Sequence, residues 1–181
     1  MGKSRRNIEV KARCSDLDAV RARAVRLGAI DSGVIRQRDT FFGASRARLK
    51  LRESAEGPAE LISYLRPDVS AARGSDYVIA PVGRPAEVRE ALEHALGIVC
   101  TVTKTRQLFL LRATRIHLDE VEGLGSFVEL ETVVDGQSDA EAHAELASIA
   151  TALALEESAF VAVPYADLLR LDPPSNGLSC S

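Results

Sequence analysis

Polar and apolar residues alternate along several segments of the chain, and the first of these segments lies near the N-terminus. In residues 7–13, the even-numbered positions are apolar and the odd-numbered positions are polar or charged. Alternation with a period of two predicts a half-buried β-strand. Residues 46–53 repeat the pattern with a cation at every second position, and residues 126–134 repeat it with acids at Glu129 and Glu131. An ordinary strand with a solvated face explains any one segment, but the recurrence indicates strands that share one charged surface.

The same patterns and the turn residues between them predict about eight strands and two or three helices, followed by a short final helix. The predicted strands cover residues 7–13, 29–42, 46–53, 60–66, 77–82, 98–112, 114–121 and 126–134. One predicted helix starts near Ser15–Asp18 and ends at Gly28. The other predicted helices cover residues 85–96, 139–153 and 165–171. Arg73–Ser75 is predicted to be a mobile loop.

Charge on alternate positions of antiparallel strands predicts an eight-stranded closed barrel, a tunnel with a polar interior. The apolar residues would then face outward and be covered by helices. The fold class is therefore α+β, mainly β, with one domain over residues 1–171 and a flexible tail over residues 172–181. A polar interior argues against a lipocalin-like carrier of hydrophobic ligands.

Composition excludes several classes of function. The chain has 181 residues, a net charge of −3, 4% aromatic residues and no Trp. These values argue against duplex nucleic acids as partners and against single-strand binding by base stacking. Three widely spaced cysteines indicate reduced thiols in a cytoplasmic protein. No segment is expected to span a membrane or to act as a signal peptide.

The predicted interior contains nine cations and four carboxylates. These residues and one tyrosine are Glu9, Lys11, Arg13, Arg48, Lys50, Arg52, Tyr64, Arg66, Lys104, Arg106, Arg115, Asp119, Glu129 and Glu131. Salt bridges among them are the simplest explanation, because buried ions are costly unless they are paired. A surplus of five cations nevertheless favours a bound polyanion such as a triphosphate. Carboxylates beside phosphates favour Mg²⁺ or Mn²⁺, although a Glu-x-Glu pair alone is a weak signal.

With these residues in place, the sequence resembles the CYTH or triphosphate tunnel metalloenzyme family, and most of all the small bacterial class IV adenylyl cyclases. The family signature Glu-x-Glu-x-Lys stands here as Asn7-Ile8-Glu9-Val10-Lys11. Further matching segments are residues 37–42, 48–53, 64–66, 104–106, 117–121, 124–131 and 165–169.

The resemblance implies roles for particular residues. Metal ligands would be Glu9, Glu129 and Glu131, with Asp119 as a further ligand or a partner of metal-bound water. Triphosphate-binding residues would be Lys11, Arg48, Lys50, Arg52, Arg66, Lys104, Arg106 and Arg115. Lys11, Glu129 and Glu131 are also the candidate catalytic residues. Gln37, Asp39 and Tyr64 are candidates for the tunnel mouth, and His117 is a weak candidate for a general base.

Asn7 departs from the family pattern, because an amide oxygen can bind a metal but supplies no charge. The number of metal ions is therefore open. The leading hypothesis is an adenylyl cyclase that converts ATP to cyclic AMP and pyrophosphate with Mg²⁺ or Mn²⁺. The alternatives are a triphosphatase acting on tripolyphosphate, thiamine triphosphate or a nucleotide, and a non-catalytic polyphosphate-binding module. A homodimer is left open.

Overall fold

The computed structural model describes residues 5–65 and 73–171. These residues form eight strands, four α-helices and one short 3-10 helix, Glu157–Ala159. The strands are β1 (Arg5–Arg13), β2 (Ile30–Phe42), β3 (Arg48–Ser54), β4 (Ala59–Leu65), β5 (Arg73–Val82), β6 (Ile98–Leu111), β7 (Thr114–Val121) and β8 (Gly125–Val133). The α-helices are α1 (Leu17–Arg26), α2 (Pro85–Leu96), α3 (Asp139–Ala152) and α4 (Tyr165–Leu171).

The strands form one strongly curled antiparallel sheet. Their order is β1-β5-β4-β3-β2-β6-β7-β8, and β8 also pairs with β1 over Asn7–Arg13. Within the described residues, the seam between β1 and β5 covers only Arg5–Glu9 of β1. The prediction of a mainly β fold with eight antiparallel strands is confirmed. Among the described residues each strand pairs with two neighbours, and the β1–β5 seam completes the ring of strands. The prediction of a closed tunnel is confirmed only in part, because this seam is described over Arg5–Glu9 alone.

The convex face of one half of the sheet packs against helices, as the alternation predicts. Ile8 and Val10 of β1 are buried there with Ile116 of β7 and Leu130 of β8. Helices α1 and α3 complete this core through residues such as Leu146. Burial of these apolar side chains is the main stabilising contribution, at roughly 1.5–3 kcal/mol for each large side chain.

The other half of the convex face is less covered than predicted. Leu65 of β4 and Val78 of β5 are 61% and 47% exposed, and no residue of α2 is buried. The apolar stripe of α2 thus contributes little core, although its start at Pro85 and its end at Gly97, where φ is +70°, agree with the sequence signals.

The concave side of the sheet has two zones. Near α4 it is apolar, because Phe41, Val102, Val121 and Phe127 pack there against Tyr165. Along the rest of the strands the inward positions are mostly ionic. The prediction of a polar interior therefore holds for one zone only, since α4 inserts an aromatic side chain into the other.

Of two local predictions, one is wrong and the other is not tested. Arg73–Ser75, expected to be a mobile loop, begins β5 and pairs with Asn7–Glu9. Residues 172–181, expected to be a flexible tail, lie outside the described residues. Across the part of the chain that the structure describes, no helix has the length and apolar character needed to cross a bilayer.

Candidate functional site

The concave side of the sheet encloses a cavity of about 350 Å³. Among the described residues, six cations and five carboxylates line it. The cations are Lys11, Lys50, Arg52, Lys104, Arg106 and Arg115, and the carboxylates are Glu9, Asp39, Glu60, Glu129 and Glu131. The lining therefore has one surplus cation, and the predicted surplus of five is wrong for this part of the chain.

Three carboxylates lie close together where β1 meets β8. Glu9 lies directly opposite Glu131, and Lys11 lies opposite Glu129. Inward positions of adjacent antiparallel strands bring such side chains within about 5 Å of one another at Cβ. The side chain of Asn7 donates a hydrogen bond to Glu131, while its own Oδ1 is buried without a hydrogen-bond partner. The N-terminal strand and the Glu-x-Glu segment thus form one acidic wall, as predicted.

Glu129 is held by three neighbours. Its carboxylate lies 2.8 Å from an Arg106 guanidinium nitrogen, 3.5 Å from Nδ1 of His117 and 3.9 Å from Nζ of Lys11. Burial alone would raise the pKa of Glu129, but Lys11, His117 and Arg106 together bring that pKa well below its usual value. Glu129 is therefore ionised at neutral pH.

His117 lies between the two carboxylates of β8. Its Nε2 atom is 3.8 Å from Glu131, on the opposite side of the ring from Glu129. Burial, and then the nearby Arg106 guanidinium, lower the pKa of His117 below its usual value, so the ring is neutral at pH 7. The alternation of His117 with Arg115 and Asp119 along β7 is the sequence signal for its inward position.

Arg106 and Asp119 form a bidentate ion pair on adjacent strands. The guanidinium donates two hydrogen bonds of 2.6 Å, one to each Asp119 oxygen, and Tyr165 donates a third of 3.0 Å. Burial raises the pKa of Asp119, but Arg106 outweighs it and brings that pKa to about 2. Asp119 is fully buried and does not line the cavity. This position favours a role in holding Arg106 over the predicted role as a metal ligand.

A second ionic cluster surrounds Asp39 on β2. Its carboxylate accepts hydrogen bonds of 2.8 Å from Lys50 and of 2.8 and 2.9 Å from Arg52. Nζ of Lys104 lies 3.8 Å away. Asp39 was predicted at the tunnel mouth, and it lies instead within the ionic lining of the cavity. The alternation along β2 puts Asp39 on the same face as Gln37 and is the sequence signal for this position.

Two of the predicted interior cations, Arg48 and Arg13, do not line this cavity. Arg48 pairs with Asp167 of α4 at 2.8 Å and lines a separate cavity of about 220 Å³. Arg13 is exposed at the end of β1, with its guanidinium 5.1 Å from the centre of the Phe127 ring. Arg66 lies outside the described residues. Arg115 does line the cavity, where it donates a hydrogen bond of 3.2 Å to Glu131.

One wall of the cavity differs in character from the others. On β4 and β5, Ile62 pairs with Ile79 and Tyr64 pairs with Tyr77, and all four side chains line the cavity. Glu60 supplies the charge at the end of this wall. The cavity thus combines an acidic wall, a cationic wall and an aliphatic and aromatic wall.

The donor set suits a hard divalent cation, because carboxylate and amide oxygens are its preferred ligands. Glu9, Glu129 and Glu131 are the carboxylates of the acidic wall, and the unpartnered oxygen of Asn7 lies beside them. Among the described residues, no three acidic, His or Cys side chains already converge as a metal site. Glu129 is instead held by Arg106 and Lys11, and Glu131 by Arg115, so a divalent cation would have to exchange with these charges.

Comparisons with known proteins give a consistent assignment of fold. The protein PH1012 of Pyrococcus horikoshii OT3 superimposes with a TM-score of 0.81 at 23% identity, covering 90% of this chain and 98% of its own. A putative adenylate cyclase of Vibrio parahaemolyticus has a TM-score of 0.77 at 20% identity, covering 94% and 99%. No curated protein matches the sequence.

A third structure is more distant. It is a Hippeastrum protein described as a putative adenylyl cyclase with a dominant triphosphatase activity, with a TM-score of 0.63 at 15% identity and coverage of 91% and 95%. At these identities the structural likeness shows the fold alone. The model of the CYTH domain, however, matches residues 5–165, most of the chain. The chain therefore belongs to the CYTH domain family.

Proposed function

We propose that this protein is a metal-dependent enzyme acting on a triphosphate, and that its reaction is the conversion of ATP to cyclic AMP and pyrophosphate. The observation that carries the proposal is the composition of the cavity. Carboxylates able to hold Mg²⁺ or Mn²⁺ face Lys and Arg side chains able to hold phosphate oxygens, within one space of about 350 Å³. Membership of the CYTH family supports the triphosphate as substrate.

The near balance of charge in the lining supports a substrate that arrives with a divalent cation. A triphosphate carries about four negative charges, whereas the described lining has one surplus cation. Glu9, Glu129 and Glu131 would hold Mg²⁺ or Mn²⁺, with the amide oxygen of Asn7 nearby. When bound, the cation would polarise a phosphate oxygen and stabilise developing charge.

The side chains of the chain would supply binding and orientation. Arg106 is fixed by Asp119 and Glu129, so its position is set before substrate enters. Lys11 lies 3.9 Å from the centre of the Tyr165 ring, which limits its freedom. Groups fixed in this way can stabilise charge that develops on the phosphates without reorganising during the reaction.

The wall formed by Ile62, Tyr64, Tyr77 and Ile79 favours a substrate with an organic ring system over an inorganic triphosphate. Apolar and aromatic surfaces bind the faces of rings, whereas phosphate chains require cations. A base held against this wall would leave its triphosphate directed toward the ionic walls. This arrangement supports the cyclase as the leading reaction.

Hydrolysis of the triphosphate is the second candidate, and the Hippeastrum protein with its dominant triphosphatase activity favours it. The deciding experiment is product analysis after incubation with ATP, thiamine triphosphate or tripolyphosphate and Mg²⁺ or Mn²⁺. Cyclic AMP with pyrophosphate supports the cyclase, and orthophosphate supports hydrolysis. Tight binding without products would support a non-catalytic module. Activity that survives complete chelation of divalent cations would contradict the proposed metal dependence.

The affinity for polyphosphate is expected to fall as the pH rises above about 7. Burial, with a further contribution from Arg106, lowers the pKa of Lys104 to about 7. Lys104 is therefore charged below this pH and neutral above it. A bound polyanion would keep Lys104 protonated above this pH. Calorimetric titration with tripolyphosphate near pH 8, in two buffers of different ionisation enthalpy, should show proton uptake.

The matched variant is Lys104→Arg, which stays charged throughout this range because the arginine pKa lies far above it. This variant should show no proton uptake by residue 104 on binding. It should also lose the part of the affinity difference between about pH 6.5 and pH 8.5 that the titration of Lys104 causes. An identical pH dependence in the two proteins would show that Lys104 does not titrate on binding.

The remaining sequence predictions stay predictions. These are a cytoplasmic location, the absence of nucleic acid and membrane partners, and a homodimer as one possible state. Measurement of mass in solution by light scattering would decide the last of these.

A further inference from the structure

Asp39 has a surrounding unlike that of the other carboxylates in the cavity. It is 2% exposed, and its ion-pair partners among the described residues are all cations on two neighbouring strands, Lys50 and Arg52 on β3 and Lys104 on β6. The register explains this, because Asp39 lies directly opposite Arg52 on one side and opposite Val102, two residues from Lys104, on the other. The acidic wall formed by β1 and β8 is not among these partners.

We propose that Asp39 is a positioning residue, which holds Lys50, Arg52 and Lys104 in one orientation toward the cavity before a polyphosphate binds. The inference rests on the proposed function in taking a polyphosphate as the ligand. The roles that the family resemblance implies, in metal binding, phosphate binding and catalysis, do not include Asp39.

The geometry supports positioning over simple neutralisation. Arg52 donates from Nε to one oxygen of Asp39 and from a terminal nitrogen to the other, a bidentate contact that fixes the plane of the guanidinium. Lys50 donates a single hydrogen bond, to the second oxygen of Asp39. Asp39 therefore uses two of the five N–H donors of Arg52 and one of the three N–H donors of Lys50. The N–H donors that Asp39 does not use can bind a phosphate, and the contacts with Asp39 have already set the orientation of these donors.

Three buried cations would otherwise separate or lose protons, because they repel one another across a distance of a few ångströms. Burial already lowers the pKa of Lys50, and Arg52 lowers it further, while Asp39 acts in the opposite direction. Lys104 is balanced in the same way. The charged or titratable groups around Lys104 are Asp39, Arg52, Arg106, Asp119 and Tyr165. Asp39 thus favours the charged forms of Lys50 and Lys104 and orders the cluster.

The two roles predict opposite results for Asp39→Asn. If Asp39 were only a competing negative charge, its removal would strengthen the binding of tripolyphosphate. If Asp39 positions the three cations, its removal should weaken binding at least tenfold, although the site has become more positive. Calorimetry with tripolyphosphate measures this difference, and stronger or unchanged binding by the folded variant would overturn the proposal.

Asp39→Glu is the second variant, and it tests position with the charge retained. The extra methylene group moves the carboxylate and should weaken tripolyphosphate binding several-fold, whereas wild-type affinity would contradict the proposal.

Glu56→Gln serves as the matched control, because Glu56 pairs with the largely exposed Arg36 outside the cavity. Its binding should equal that of the wild-type protein.

A measurement without ligand separates this inference from the proposed function. Titration of the Lys104 ammonium group by NMR should show a lower pKa in Asp39→Asn than in the wild-type protein. Failure of wild-type protein to bind tripolyphosphate would count against the proposed function, while the NMR titration would still decide whether Asp39 controls Lys104. An unchanged Lys104 titration would overturn the role of Asp39.

Discussion

Glu129→Gln is expected to lower kcat/KM by about a thousandfold or more, which corresponds to roughly 4 kcal/mol of transition-state stabilisation. Glutamine keeps the size of the side chain but removes the negative charge that the proposed metal site requires. Glu129 also lies beside Lys11, Arg106 and His117, so its charge orients groups from three strands. Steady-state kinetics with ATP and Mg²⁺ or Mn²⁺ measure the effect on turnover.

The fold of this variant should be retained, because Arg106 keeps its bidentate contact with Asp119. Circular dichroism and thermal denaturation check this. Glu120→Gln is the matched control, since Glu120 is exposed on the outward face of β7 and should leave turnover unchanged. Wild-type activity in Glu129→Gln would remove Glu129 from the metal site.

Arg106→Met is expected to reduce the free energy of unfolding by about 3–5 kcal/mol, because it leaves two buried carboxylates without their shared cation. Asp119 is fully buried and would retain only the hydrogen bond from Tyr165 among these contacts. Glu129 would keep Lys11 and His117 as neighbours. Urea denaturation at neutral pH measures the change, and an unchanged m-value would confirm that the native state is intact.

The control for this experiment is an exposed ion pair. Arg84 pairs with Glu87 on the surface, with exposures of 78% and 62%, so Arg84→Met should cost less than about 1 kcal/mol. The double variant Arg106→Met with Asp119→Leu should recover part of the lost stability, because it removes the unpaired carboxylate as well. A loss below 1 kcal/mol in Arg106→Met would show that the pair is not a major stabilising contact.

Alternation along single strands allowed much of the site to be predicted. The odd-numbered residues Glu9 and Lys11 face inward, and so do Glu129 and Glu131, because a strand places successive side chains on opposite faces. The apolar residues between them face the helices for the same reason. The helix signals were similarly local: Asp16 caps α1 by accepting a hydrogen bond of 2.9 Å from the Ala19 amide.

Pairing between strands could not be predicted in this way. Asp39 and Lys104 are separated by 65 positions in the numbering, yet the register between β2 and β6 brings them to 3.8 Å. Arg48 has the strand position of an interior cation, but Asp167 of α4 pairs with it outside the main cavity. The predicted surplus of five cations is wrong because Asp39 and Glu60 also line the cavity, whereas Arg13 and Arg48 do not.

By itself, the amino-acid sequence determined the strands, the faces of those strands that carry charge, and the family to which the chain belongs. Each of these depends on residue types at short, regular spacing, which local sterics and burial convert directly into structure. Only the tertiary structure decided which acid pairs with which base, how nearly the cavity is balanced in charge, and where its apolar wall lies. Those properties depend on side chains from several strands and from α4. Only long-range strand register and packing bring these side chains together.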